Sequence, residues 1–326
     1  MRRREVIAAA GIVAGWPLIV RAQGDRVRRV GVLLAAAENS PQQQARNVAF
    51  EQRMNELGWV KGQNLSLDYR WAAGDMALID GHADSLVRAS PDVILAVGSN
   101  AVRALLKRTR RIPIVFQIVP DPVGQEFVQS QARPGGNVTG FSTFDDRSMG
   151  GKWIETLKEL APGIRRVLFI RGPGVSGAWL PALEEAARIL SLEFSVAAIR
   201  DLTELKTALA DSAPATPTGA VLPPFPYAAA NLQGFSDAFA AAGVPAIGSL
   251  AAYARAGGLA TYGPDLVNLF RQGAGVIDRI LRGADPAEIP VQNPIKFELV
   301  LNLRSARALG LTVPPTLLAL ADEVIE

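Results

Sequence analysis

Short apolar runs alternate with amphipathic segments along most of the chain. Residues 30–34, 93–97 and 114–118 are largely apolar runs of strand length, typical of strands buried on both faces. Helical spacing of apolar residues follows such runs, as in the segment that begins at Ser40-Pro41 and stops at Gly58. Because strands that alternate with helices pair side by side in parallel, the pattern predicts an α/β protein built on parallel sheets.

The alternation occurs twice. Residues 28–33 (RRVGVL) are echoed by residues 165–170 (RRVLFI), and residues 112–116 (IPIVF) by residues 244–248 (VPAIG). A chain of 326 residues is long enough for about two domains, and no Gly/Ser-rich or Pro-rich linker divides it. We therefore predict two similar lobes in tandem, joined by short crossings that act as a hinge. In the second lobe we predict helices at 148–160, 179–190, 202–212 and 231–242 and strands at 167–171, 194–199, 219–222 and 245–248.

The N-terminus has the three parts of a secretory signal. Residues 2–4 are arginines, residues 6–20 form an apolar run, and small residues lead to a predicted cleavage site after Ala22. The apolar run is shorter than the roughly 20 residues of a membrane span, and Pro17 interrupts it. The paired arginines resemble a twin-arginine signal, and Sec export stays open as the other route. The sequence thus predicts a periplasmic protein exported by a cleavable signal peptide, residues 1–22.

Composition excludes several function classes. The predicted signal carries a net charge equal to the whole formal charge of +3, so the mature chain is close to neutral and nothing indicates nucleic-acid binding. There is no Cys and His82 is the only His, which excludes disulfides, thiol nucleophiles and multi-histidine metal sites. His82 lies in a predicted amphipathic helix and is expected at its surface or boundary. We predict no cofactor and no metal.

Candidate ligand contacts lie in the loops that follow the strands, because ligands of open parallel sheets bind beyond the carboxyl ends of the strands. In the first lobe, Gly98 lets a ligand approach the backbone closely, and the Ser99 hydroxyl lies at the start of a predicted helix. The free N–H groups and the dipole of a helix start favour an anion such as a ligand carboxylate. The alternative is that Ser99 is an ordinary N-cap. In the second lobe, residues 223–227 (PPFPY) could form an aromatic wall or a buried turn.

Two other patterns suggest enzyme chemistry. Residues 172–177 match GxGxxG between a predicted strand and helix, the context of a dinucleotide fingerprint, and Asp201 is the best acidic residue to follow it. This leaves an exported NAD(P)-dependent oxidoreductase as the alternative function. Asp145-Asp146 could be a pair of acid/base carboxylates, but adjacent side chains diverge, and a solvated crossing segment is the other interpretation.

Several longer motifs resemble one known family. They are residues 55–60 (NELGWV), 69–75 (YRWAAGD), 91–96 (PDVILA), 121–124 (DPVG), 132–140 (ARPGGNVTG) and 309–315 (LGLTVPP). Together they resemble the ABC transporter substrate-binding proteins related to the tryptophan/tyrosine-type binding proteins, over the whole mature chain. Relatives commonly have an Asn-Pro-type loop where this chain has Gly172-Pro173-Gly174.

The resemblance implies a type I periplasmic binding protein with two Rossmann-like lobes, three crossings and a ligand in the cleft. Lobe one would comprise residues 29–141 and 264–288, and lobe two residues 146–262 and 295–326. The same resemblance implies a monomeric receptor and not an enzyme. The receptor would deliver a small amino-acid-like, aromatic or carboxylate-bearing solute to an inner-membrane ABC permease. A sensory role without transport stays open. The implied cleft residues are Ser99, Asn100, Asp121, Thr139, Gly140, Ser142, Gly172, Gly174, Ser176, Phe225, Ser249 and Tyr262.

Overall fold

The first part of the chain forms a five-stranded parallel sheet. The computed structural model describes residues 26–143, 146–173, 175, 177–212 and 216–326, so the predicted signal peptide lies outside the described residues. In chain order the elements are β1 (Arg28–Leu34), α1 (Pro41–Glu56), β2 (Leu65–Trp71), α2 (Met76–Ala89), β3 (Val93–Val97), α3 (Ser99–Leu106), β4 (Ile114–Val119) and β5 (Val138–Ser142). The strand order is β2-β1-β3-β4-β5.

The rest of the chain forms a seven-stranded sheet and one helix that returns to the first sheet. The elements are α4 (Asp146–Leu160), β6 (Arg166–Arg171), α5 (Leu180–Ile189), β7 (Glu193–Ala198), α6 (Leu202–Ser212), β8 (Thr218–Leu222), α7 (Pro226–Ala230), α8 (Leu232–Ala241), β9 (Ala246–Gly248), α9 (Ala251–Arg255), β10 (Ala260–Pro264), α10 (Leu266–Leu281), β11 (Phe297–Asn302), α11 (Leu303–Ala308), α12 (Pro315–Leu320) and β12 (Glu323–Ile325). The strand order is β12-β11-β10-β9-β8-β6-β7, and short 3-10 turns lie at Gly177–Trp179 and Pro286–Glu288.

The two sheets repeat one topology. The order β2-β1-β3-β4-β5 of the first sheet recurs as β7-β6-β8-β9-β10 in the second. The echoed sequences fall on equivalent strands, since residues 28–33 and 165–170 enter β1 and β6, and residues 112–116 and 244–248 enter β4 and β9. The internal similarity therefore reflects two lobes with the same strand order.

One strand pair departs from the predicted parallel arrangement. β11 runs antiparallel to β10, so the second sheet is mixed. The reason is the route of the chain: β10 leaves the second sheet toward α10, which packs on α1 and on the first sheet. The chain returns to the second sheet at the same end, and β11 must therefore run in the opposite direction.

The segments that cross between the sheets are hydrogen-bonded to one another. The backbone N–H of Gln292 donates to the carbonyl of Gly140 over 2.9 Å, and the N–H of Ser142 donates to the carbonyl of Gln292 over 2.9 Å. Beside them, the N–H of Asp265 donates to the carbonyl of Lys296 over 3.0 Å. These bonds tie the crossings into one hinge instead of three independent tethers.

Each lobe has its own hydrophobic core, and the lobes touch. Helices α1 and α10 cover one face of the first sheet and α2 and α3 cover the other, while a separate core surrounds the second sheet. Leu250, just after β9, packs against both the second core and the α1/α10 core. Among the described residues, no helix is long and apolar enough to cross a membrane.

Candidate functional site

The start of α3 is an open helix terminus. Gly98 is the N-cap with φ of 90°, and its N–H donates to the carbonyl of Gln117 over 2.8 Å. Ser99 is the first helical residue and no side chain caps the helix, so the interpretation of Ser99 as an ordinary N-cap is wrong. Glycine takes that place because the backbone is left-handed there. The hydroxyl of the partly buried Ser99 and the exposed Asn100 therefore remain next to uncapped N–H groups.

The neighbouring end of β4 is a strained bulge that the sequence did not reveal. The register between β4 and β5 shifts between Phe116 and Val119, and Ile118 has φ of 56°. A β-branched residue rarely adopts this conformation, and such strain and bulges concentrate at functional sites. Asp121 also has a positive φ, of 43°, and its carboxylate accepts from the N–H of Gly124 over 2.8 Å. Because β3 pairs with β4, this bulge lies beside the start of α3.

The predicted contacts on β5 are part of the hinge. The hydroxyl of Thr139 is fully buried and donates to the carbonyl of Ile289 over 2.7 Å. Gly140 packs against the backbone of Phe116 so closely that no side chain fits. Ser142 is buried and its N–H bonds to Gln292. The Thr139 hydroxyl therefore holds a crossing segment in this structure, and its ligand contact stays a prediction.

In the second lobe, Phe225 is a core residue. The residue is 5% exposed and its ring makes a T-shaped contact with Phe235 at 5.9 Å. Of the two interpretations of residues 223–227, this favours the buried turn over the open aromatic wall. The ring lies directly under Gly172, where a Cβ would come within 2.7 Å of its Cγ. Phe225 thus supports the loop after β6 from below. Gly174 and Ser176 of that loop lie outside the described residues, as does Asp145.

Ser249 and Tyr262 lie where β9 and β10 reach the hinge. The buried Ser249 presses its carbonyl against Gly263, leaving no room for a Cβ there. Tyr262 is partly buried and stacks on Phe297, with ring centroids 5.9 Å apart. Its carbonyl accepts from the indole Nε1–H of Trp153 over 2.7 Å. Sequence reasoning missed Trp153, because its helical pattern does not distinguish a hinge anchor from an ordinary core residue.

The dinucleotide interpretation finds no support in the residues around its loop. Asp201, the acidic residue that would follow the fingerprint, accepts from the N–H groups of Thr203 and Glu204 over 2.9 Å each and so holds the start of α6. A 3-10 turn at Gly177–Trp179 stands between the loop and α5, where a fingerprint helix would begin directly. Across the described residues, no group of three His, Asp or Glu side chains could hold a metal ion.

Comparison with known proteins assigns the family. The family model described as "ABC transporter substrate binding protein" matches residues 32–325. The chain belongs to this family. The family resemblance in the sequence motifs is thereby confirmed, and the family is one of binding proteins. A curated relative, the tyrosine-binding protein of Clostridioides difficile (strain R20291), is 25% identical over 268 residues, which cover 80% of this chain and 75% of the relative.

Solved structures confirm the fold. A conserved domain protein from Vibrio cholerae O1 biovar El Tor has a TM-score of 0.79 and 27% identity, covering 92% of this chain and 100% of that one. An ABC domain from Streptococcus pneumoniae in complex with L-Trp has a TM-score of 0.80 and 22% identity, covering 91% and 99% of the two chains. A ligand-free, open substrate binding protein with adhesive properties from Clostridium difficile has a TM-score of 0.75 and 22% identity, covering 92% and 99%.

Proposed function

We propose that this protein is the receptor of an ABC importer and closes its two lobes around a small amino-acid-like molecule. The observation that carries the proposal is the membership of nearly the whole described chain in the substrate binding family. The tyrosine-binding relative and the neighbour that holds L-Trp favour an aromatic amino acid as the ligand. On this proposal the protein breaks no bond, needs no cofactor and works as a monomer.

Two lobes with a hydrogen-bonded hinge support binding by closure. A ligand between the lobes contacts both of them only when they approach, so it shifts the open–closed equilibrium by its difference in affinity for the two states. In this proposal Ser99 and Asn100 bind the ligand carboxylate from lobe one, because the uncapped N–H groups of α3 and its dipole favour an anion. Asp121, Gly140, Ser142, Gly172, Ser249 and Tyr262 complete the proposed rim of the site.

The remaining parts of the proposal concern location and partner. The predicted signal peptide would place the mature chain in the periplasm, and the family implies delivery to a membrane permease powered by a separate ATPase. We propose lobe bounds of 29–141 with 264–288, and 146–262 with 295–326. The packing of α10 on α1 and the pairing of β11 with β10 support this division.

A thermal-unfolding screen tests the ligand class. The purified mature protein is heated with L-tyrosine, L-tryptophan, other amino acids, aromatic acids, sugars, nucleosides and NAD(P). An aromatic amino acid at about 100 times its dissociation constant should stabilise the protein by about 2.7 kcal/mol. Stabilisation by sugars alone would refute the amino-acid proposal, and stabilisation by NAD(P) alone would favour the oxidoreductase.

A double substitution tests the carboxylate contact. In the variant with Ser99→Ala and Asn100→Ala, affinity for the amino acid selected by the screen should fall about tenfold, because hydrogen bonds to a charged group are lost. Calorimetric titration measures the change. The control is Ser85→Ala on α2, whose hydroxyl donates to the carbonyl of His82 within its own helix and should leave affinity unchanged. Equal affinities of the double variant and the parent would exclude this role for α3.

A further inference from the structure

The first sheet has an open edge at β2. At the opposite edge, β5 meets the crossing segment of the hinge, where Gln292 forms a bridge to Phe141. Among the described strands, β2 pairs only with β1, and it is seven residues long without Pro or Lys. Natural sheets commonly protect a long edge with such residues, because an open edge is a template for another strand. The edge of β2 is therefore a candidate interaction surface.

The backbone of β2 turns alternate residues away from the sheet. The N–H of Ala72, directly after the strand, donates to the carbonyl of Leu34 in β1 over 2.9 Å. Because the backbone groups of a strand alternate in direction, the even-numbered residues of β2 bond to β1 and the odd-numbered ones point outward. Leu67, Tyr69 and Trp71 thus present their N–H and carbonyl groups at the open edge.

The two faces of β2 differ in chemistry. Leu67, Tyr69 and Trp71 pack at the margin of the α1/α10 core, and the rings of Tyr69 and Trp71 stack with centroids 5.7 Å apart. The other face carries Asp68 and Arg70, which are partly exposed and form an ion pair at 2.9 Å. The edge therefore offers apolar groups on one face and two opposite charges on the other.

These charges make the edge complementary to itself. When two β2 strands pair antiparallel about a two-fold axis at Tyr69, Asp68 of each copy lies opposite Arg70 of the other. An axis one residue earlier would set Asp68 against Asp68, and an axis one residue later would set Arg70 against Arg70. Like charges directly opposite each other destabilise a sheet, so charge selects the axis at Tyr69.

The same register suits the backbone and the apolar face. Tyr69 lies opposite Tyr69 and Leu67 opposite Trp71, and each of these outward-facing pairs can exchange two hydrogen bonds. Nε2 of His82 lies 3.1 Å from the carbonyl of Trp71, which keeps a second lone pair for the new bond. A cavity of about 320 Å³, lined in part by Leu67 and Trp59, adjoins the strand. Trp71 of the second copy comes next to this cavity.

We propose that β2 is a docking edge for a second copy of this chain, and that the two first sheets join there into one ten-stranded sheet. The inference goes beyond the proposed function and does not depend on the ligand. Because β2 and the hinge strand β5 lie at opposite edges, pairing leaves the cleft and hinge of each copy intact. A receptor that works as a monomer is thus complete within the pair. One strand edge buries little surface, so the association is reversible.

The experiment measures self-association of the mature protein without ligand. Sedimentation velocity from about 1 μM to about 1 mM covers the range in which small interfaces dissociate, and the parent should change from monomer to dimer across it. Arg70→Asp and Asp68→Arg should each raise the dissociation constant of the dimer about tenfold or more, because like charges then lie opposite each other. The matched control is Val196→Lys on β7, the open edge of the second sheet. Val196 is 41% exposed, and this variant should associate like the parent.

A mixture of the two charge variants gives the decisive result. Neither Arg70→Asp nor Asp68→Arg should pair with itself, but in the mixture acidic side chains of one variant lie opposite basic side chains of the other. A mixed dimer should therefore form about as tightly as the parent dimer, whereas a merely structural defect would not be repaired by mixing.

Four results would overturn the inference. They are a parent that stays monomeric at about 1 mM, charge variants that associate like the parent, a mixture that stays monomeric, and loss of association in Val196→Lys. Each of them is read without ligand, so failure of this inference is distinct from failure of L-tyrosine to bind.

Discussion

Replacing Gly140 by alanine is expected to destabilise the protein by about 3 kcal/mol or more, the combined effect of backbone strain and overpacking. Gly140 has φ of 150°, which residues with a side chain rarely adopt. Its added Cβ would overlap the carbonyl oxygen of Phe116 and come within 2.6 Å of the Phe116 nitrogen. These are backbone atoms of the paired strand β4, and the carbonyl of Gly140 also accepts from Gln292 in the hinge. The backbone of Phe116 and that of Gln292 can move away from the added Cβ only by breaking these strand and hinge contacts.

Urea unfolding monitored by circular dichroism measures this loss. The control is Gly275→Ala in α10, where nothing lies within 4 Å of an added Cβ. Because alanine favours a helix over glycine by about 1 kcal/mol, this control should be as stable as the parent or slightly more so. Equal stabilities of Gly140→Ala and Gly275→Ala would show that the close approach of β4 and β5 is not a constraint.

Replacing Trp153 by alanine is expected to cost about 3–5 kcal/mol of unfolding free energy, the usual range for a buried large aromatic residue. Trp153 is 1% exposed, and its ring makes a T-shaped contact with Trp179 at 5.2 Å. Its Nε1–H donates to the carbonyl of Tyr262 on β10, two residues before the strand ends and the chain turns toward the hinge. The variant loses the packing of α4 on the second sheet and leaves a cavity beside the crossing.

Trp153→Phe separates packing from hydrogen bonding. Phenylalanine keeps most of the apolar contact but leaves the carbonyl of Tyr262 without its donor, so we expect a loss of about 1–3 kcal/mol. Chemical denaturation of the three proteins should show the free energy of unfolding decreasing from the parent to Trp153→Phe and then to Trp153→Ala. A Trp153→Ala variant within about 1 kcal/mol of the parent would contradict the anchoring role.

The helix termini show how far local sequence signals reach. Ser40, Pro41 and Gly58 predict the bounds of α1, and in the structure the Ser40 side chain accepts from the N–H of Gln43. The same reasoning failed at Ser99, where Gly98 is the N-cap. The N-cap is decided by the backbone conformation in which β3 ends, and the hydrogen bond from Gly98 to β4 fixes that conformation. A distant strand thus overrides a local preference.

The sequence predicted only part of the candidate site, because tertiary packing also decides which loop residues face the cleft. Because ligands bind in the loops that follow parallel strands, the sequence predicts site residues at Gly98-Ser99-Asn100 and at Gly172. In the structure these residues lie directly after β3 and β6. Whether a residue in such a loop faces the cleft depends on what packs behind it, and Phe225 turns inward onto Phe235. The strained bulge at Ile118 also escaped prediction, because an Ile in an apolar run favours a regular strand.

The sequence by itself determined the α/β class, most of the order of helices and strands up to β9 and the repetition of one pattern in two lobes. These properties follow from apolar spacing and turn residues, which act over a few neighbours. Only the tertiary structure decided the antiparallel return of β11, the burial of Thr139 and the hydrogen bonds of Gln292 with Gly140 and Ser142. Each of these depends on residues from distant parts of the chain that come together only when the chain crosses between the lobes, and no local pattern encodes such contacts.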